Sequence, residues 1–133
     1  MAEVQPTNVQ LRMPADPQQL RVLRLVGSGL ASLGQLDLTA TEEVRVAVDE
    51  LGAALISMGD GGPIELSFDL TPHALCIEGT TSVTPGAGVE VDPLTDRMLS
   101  VVATTHTWSV EDGRTTGRLE KALPQPSIEA GSR

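Results

Sequence analysis

The apolar residues of this chain change their spacing several times, and each change predicts an element. Val9, Leu11 and Met13 alternate with polar neighbours up to Pro14, the period-two pattern of a half-buried strand, and the proline suits a sheet edge. Asp16 followed by Pro17 has the form of a helix start, a capping carboxylate ahead of a residue that needs no backbone N–H. Leu20, Leu23, Val26 or Gly27, Leu30 and Leu33 then recur at helical spacing until Gly34 ends the run. A second helix is expected from Thr39, which stands three residues before Glu42 in a capping-box pattern. Its apolar stripe is Val44, Val48, Leu51, Leu55 and Met58.

Asp60-Gly61-Gly62-Pro63 breaks the chain. Ile64, Leu66, Phe68 and Leu70 alternate with polar residues, Thr71-Pro72-His73 forms a turn, and Leu75, Ile77 and Gly79 return as the partner strand of an antiparallel hairpin. Thr80 to Val91 lacks helical periodicity and is expected to be a loop, long enough for a lid or binding loop. A third helix begins at Asp92–Pro93 and carries Leu94, Met98, Val101 or Val102 and Thr105 on one face. Trp108 and Val110 lead into Asp112–Gly113, a tight-hairpin signal, with Arg114 to Leu119 as the return strand. This order implies an α+β fold: a two-layer α/β sandwich with helices on one face of a mixed, mainly antiparallel sheet. The expected organisation is an N-terminal extension over 1–8, one domain over 9–123 and a flexible tail over 124–133.

Composition narrows the function classes. The 133 residues suffice for one core. Phe68 and Trp108 are its only aromatic rings, so stacking on nucleic-acid bases has little to work with. A formal charge of −9 argues against direct binding to a phosphate backbone and suits a basic protein partner, or solubility alone. No apolar run approaches a membrane span and the N-terminus lacks the regions of a signal peptide, which reads as a cytoplasmic protein. The single Cys76 cannot form an internal disulfide and is expected to be a buried, inert thiol. His73 and His106, the only histidines, lack zinc-site spacing, so no metal site is expected.

The stretch from Thr39 to Met58, with Val-Arg-Val-Ala-Val-Asp-Glu-Leu at Val44 to Leu51, and the Leu-Arg-Met-Pro-Ala opening at Leu11 to Ala15 resemble the serine-kinase anti-sigma factors of the GHKL (histidine-kinase-like ATPase) superfamily. The likeness is greatest to their divergent actinobacterial members. It implies the same α/β sandwich and three nucleotide-binding boxes. In the first box a Glu positions or activates the attacking hydroxyl, and an Asn one turn later holds Mg²⁺. Glu50 stands at the Glu position and Ala54 at the Asn position. Glu50 is therefore the candidate catalytic base; a solvated helix face explains the same residue. In the second box an Asp takes the adenine amino group, and here Gly79 or Thr81 falls at its place, depending on register, while Glu78 points to the wrong face. In the third box a glycine-rich turn meets the triphosphate. This chain places Gly86-Ala87-Gly88 too early and has Asp92, Pro93 and Asp96 at the helix start, where the carboxylates repel phosphate and cap the helix instead.

The degenerate positions Ala54, Thr81, Asp92 and Asp96 imply lost or weak ATP binding, so no cofactor is expected; ATP and Mg²⁺ enter only if the site is retained. The leading expectation is an anti-sigma regulatory factor, a pseudokinase of a partner-switching stress response, that sequesters a sigma factor. The resemblance also brings an anti-anti-sigma (STAS) protein and a homodimer among the partners to consider. It points to Arg12, Gln19, Arg21 and Arg24 for partner contact, although charged residues on a helix usually form a solvated face. The alternatives are an active ATP-dependent serine kinase of an anti-anti-sigma partner and a non-catalytic scaffold of the same fold for another signalling protein.

Overall fold

The computed structural model describes residues 3–125. Its elements follow in the order β1 (Thr7–Met13), α1 (Leu20–Leu33), α2 (Leu38–Met58), β2 (Ile64–Leu70), β3 (Ala74–Ser82), α3 (Pro93–Val102), β4 (Thr105–Glu111) and β5 (Arg114–Ala122), with a short 3₁₀ turn at Pro17–Gln19 leading into α1. The strands form one five-stranded sheet in the order β1-β2-β3-β5-β4. Every pairing is antiparallel, so the sheet has no parallel component. Three helices packed on one face of it make an α+β sandwich of two layers.

The two faces of the sheet follow from strand alternation. Ile64, Leu66, Phe68 and Leu70 of β2 and Leu75 and Ile77 of β3 point to the helices and are buried. The opposite face is polar: Gln10 and Arg12 of β1, Glu65 and Ser67 of β2, Glu78 and Thr80 of β3, and Arg114, Thr116 and Arg118 of β5. Cys76 lies on this face and is only half-buried, not in the core as its strand-like surroundings suggested. Burial and the neighbouring Glu120 raise its thiol above the ordinary value, which disfavours the reactive thiolate.

Local chemistry sets the helix limits. Asp16 accepts the Gln18 N–H at 2.9 Å and so caps the 3₁₀ turn rather than α1, whose own N-cap, Gln19, makes no side-chain bond; Gly34 closes α1 as the sequence predicts. α2 begins earlier than the capping-box pattern suggests: the cap is Asp37, which accepts the Ala40 N–H at 2.8 Å, and Thr39 is exposed. Glu42 is left to pair with Arg45 at 3.0 Å. In α1 the buried residues are Leu23, Gly27, Leu30 and Ala31, and Leu33 is exposed. In α3 they are Leu99 and Val102, whereas Leu94 and Val101 of the expected core face are exposed. β3 runs on through Thr80–Ser82, which pair with Thr116, Thr115 and Arg114, so the connecting loop is shorter than Thr80 to Val91. The Asp112–Gly113 turn has positive φ at both residues, 51° and 74°, as a type I′ hairpin requires. At the C-terminus Leu123 is buried and donates its N–H to His73; of the expected tail, residues 126–133 lie outside the described residues.

Replacing Asp37 with Ala is expected to lower stability by about 1 kcal/mol, the usual loss on removing a capping carboxylate, while Thr39→Ala leaves it unchanged. Urea unfolding of the two variants checks this, and equal losses would return the cap to Thr39.

Candidate functional site

The residues that the sequence places at a nucleotide site lie on α2, the end of β3 and the start of α3. Glu50 is half-buried on α2 and makes no hydrogen bond or ion pair with the described residues. Ala54, one turn further, is buried at 8% exposure and offers only a methyl group where a metal ligand would be needed. Asp49, next to Glu50 in the chain, pairs with Arg24 of α1 at 2.6 Å, so this carboxylate links two helices. Among the described residues no group of three or more His, Cys, Asp or Glu side chains is arranged to hold a metal ion.

On β3, Gly79 and Thr81 both face the helices, and Glu78 faces away from them. A Cβ at Gly79 would stand 2.6 Å from Leu55 Cδ1, so α2 rests directly on the strand backbone there. Thr81 is 1% exposed and its hydroxyl donates to the Pro63 carbonyl at 3.0 Å. Thr81 thus satisfies the backbone of the α2–β2 turn, and its side chain is shut in. Gly59 packs close above it: a Cβ at that glycine would meet Thr81 Cγ2 at 3.1 Å. The same turn is fastened by Asp60, which accepts the Ser82 hydroxyl at 2.7 Å and the Gly62 N–H at 3.0 Å, with Gly61 at φ 99° providing the reversal.

At the start of α3 Asp92 caps the helix, accepting the Leu94 N–H at 2.8 Å. Asp96 reaches across to β4 and meets His106 Nε2 at 2.6 Å, with the imidazole mostly buried. This pair spans ten residues and a helix end, and no periodic signal in the chain points to it. At the other end of α3, Lys121 of β5 donates to the Val102 carbonyl at 3.0 Å and to Glu43 of α2 at 2.6 Å, joining three elements. His73 lies in the β2–β3 turn within 3.2 Å of Gln125 Oε1.

The residues considered for partner contact are divided between layers. Arg12 is on the open face of the sheet, 3.7 Å from Glu65, which also takes Arg114 at 3.2 Å. Gln19, Arg21 and Arg24 belong to the start of α1 on the helical layer; Arg24 is held by Asp49, and Arg21 is exposed without a charged partner. A shallow groove of about 510 Å³ lies beside Arg12, lined by Gln10, Glu65, Ser67, Glu78 and Thr80. It is on the sheet face opposite Gly79 and Thr81, so this groove and the expected chemistry do not coincide.

These features define the class by its fold: an α+β sandwich of two layers whose helix-facing β3 positions Gly79 and Thr81 are buried and carry no carboxylate. No family model matches the chain, and no curated protein matches it. Among solved structures it is similar to that of the RsbU and RsbW domains of Rv1364c from Mycobacterium tuberculosis, with a TM-score of 0.71 and 16% identity over 91% of this chain. The chain spans 34% of that protein's length. The shared feature is the fold, the α/β sandwich that the resemblance implied. Among the described residues no helix is long and apolar enough to cross a membrane.

The Ser82 hydroxyl, and after it the Gly62 N–H, hold the Asp60 carboxyl below its ordinary value of 3.8. A lowered folded-state value stabilises the fold above the unfolded value, and that contribution is lost as pH falls through 3.8 towards the folded value. The melting temperature of Asp60→Asn should therefore depend less on pH than that of the wild type in this acid range. Parallel melting curves for the two proteins would show that Asp60 has no such role.

Proposed function

We propose that this chain is an anti-sigma regulatory module of a partner-switching system, holding a sigma factor without a working nucleotide site. The observation that carries this reading is the closure of β3: Leu55 rests on Gly79, and the Thr81 hydroxyl is committed to Pro63. Gly79 and Thr81, at the place where the family receives the adenine, are buried and offer no carboxylate. Ala54 beside Glu50 supports it as well, since Glu50 without a metal-holding neighbour is a base with no electrophile positioned for it. Asp92 and Asp96 add negative charge where phosphate would sit, and both already have structural partners. Hydrogen bonds to charged groups contribute about 1.5–3 kcal/mol each, so three lost contacts weaken nucleotide binding by roughly 10³ to 10⁶-fold.

A sequestering protein needs a stable surface and no turnover, which the intact core provides. The resemblance places the sigma-factor contact at Arg12 and at Gln19, Arg21 and Arg24 of α1, and Arg21 is the most available of the charged residues. An anti-anti-sigma protein that competes for this surface would complete the switch.

The test is capture of purified sigma factors from the same organism by the immobilised chain, with and without Mg-ATP, together with calorimetric titration of Mg-ATP alone. Capture of one sigma factor, unchanged by nucleotide, and no heat up to about millimolar Mg-ATP are expected. Micromolar nucleotide binding would replace this reading with that of an active kinase.

A further inference from the structure

The sequence pattern placed Leu94, Met98 and Val101 or Val102 on a single core-facing stripe of α3. Of these the fold buries Val102, and with it Leu99. Leu94 is left 62% exposed and Val101 73% exposed, with half-buried Met98 between them, an i, i+4, i+7 series along one side of the helix. Val89 in the preceding loop is also exposed, at 47%. Apolar side chains scattered singly over a surface mean little, but a row of them on one helix marks a contact surface.

The helix is held firmly. Asp96 fastens its first half to His106 of β4, and Lys121 ties its last carbonyl to Glu43 of α2. The stripe is therefore presented on a rigid support, which lowers the ordering loss on binding. Its surroundings are acidic: Glu90, Asp92 and Asp96 are exposed, and Arg97 is the one cation between Val89 and Val101. α3 packs on α2, as α1 does on its own side through the Arg24–Asp49 pair, so this surface is distinct from the α1 residues considered for sigma-factor contact.

We infer that the Leu94–Met98–Val101 face of α3 is a second docking surface, whose occupant is an amphipathic helix of a partner protein with a basic flank. Leucine-type side chains of that helix cover the apolar row, and its Lys or Arg residues meet Glu90, Asp92 and Asp96. The inference does not depend on nucleotide binding or on which protein α1 engages.

The test uses two labelled 14-residue amphipathic peptides, one of Leu and Lys and one of Leu and Glu, titrated by fluorescence anisotropy near physiological salt. They are titrated against the wild type, against Leu94→Glu/Val101→Glu, and against Leu25→Glu/Leu33→Glu on α1, each first shown by circular dichroism to be folded. Wild type and the α1 variant should bind the Leu/Lys peptide alike and the Leu/Glu peptide at least about tenfold more weakly. The α3 variant should lose at least about tenfold in affinity for the Leu/Lys peptide although it carries two more negative charges. Equal or tighter binding by the α3 variant would reduce the effect to general charge attraction and overturn the inference. So would loss confined to the α1 variant, or sedimentation showing that the stripe joins two copies of this chain.

Discussion

The structure depends on how closely α2 approaches the sheet. Gly79 of β3 and Gly117 of β5 stand directly opposite one another in the strand register. A Cβ at Gly79 would lie 2.6 Å from Leu55 Cδ1, and one at Gly117 would lie 2.7 Å from Leu51 Cδ1 and 2.5 Å from Trp108 Cζ3. The two glycines form a saddle into which successive leucines of α2 descend. Gly52 works in the opposite direction, since a Cβ there would meet Leu20 and Leu23 of α1 at 2.6 and 2.7 Å. The central helix is sunk between its neighbours on both sides, and Leu51 and Leu55 are almost fully buried as a result. Close contact of this kind lets leucine side chains fill a core that has only one phenylalanine.

The same approach shapes the functional surface. Leu55 lies on Gly79, and Thr81 and Asp60 are drawn into holding the turn that follows α2. What remains to the outside is protein surface: the start of α1, the polar face of the sheet and the apolar side of α3. Gly79 and Thr81, neither of them a carboxylate, are taken up by this packing.

Much of this was legible in the sequence because alternation and helical spacing report burial directly. Ile64 to Leu70, the Asp112–Gly113 turn and the stripe Val44, Val48, Leu51 and Leu55 all appear where their patterns place them. The misreadings have separate causes. Asp37 and Thr39 are both capping residues two positions apart, and the exposed Leu38 between them gives no phase to choose by. α3 carries two apolar stripes, and its packing against α2, not its periodicity, decides which is buried. Thr80 to Ser82 resemble a loop in composition, yet the Thr81 hydroxyl finds a backbone partner and allows burial in a strand. Around the candidate site the side-chain partners were not legible: the Asp96–His106 and Arg24–Asp49 pairs join elements that only the fold brings together. The glycine saddle was silent for a simpler reason, since a residue without a side chain leaves no hydrophobic mark.

The most direct measurement is equilibrium unfolding of Gly79→Ala. Where a glycine has ordinary strand φ and free space, alanine stabilises by about 0.4–1 kcal/mol because the unfolded chain loses freedom. With Leu55 seated on the strand, the added methyl should instead destabilise by about 1–3 kcal/mol through overpacking. A gain in stability would mean that α2 stands off the sheet, and that the closed inner face of β3, with the nucleotide-free reading built on it, is wrong.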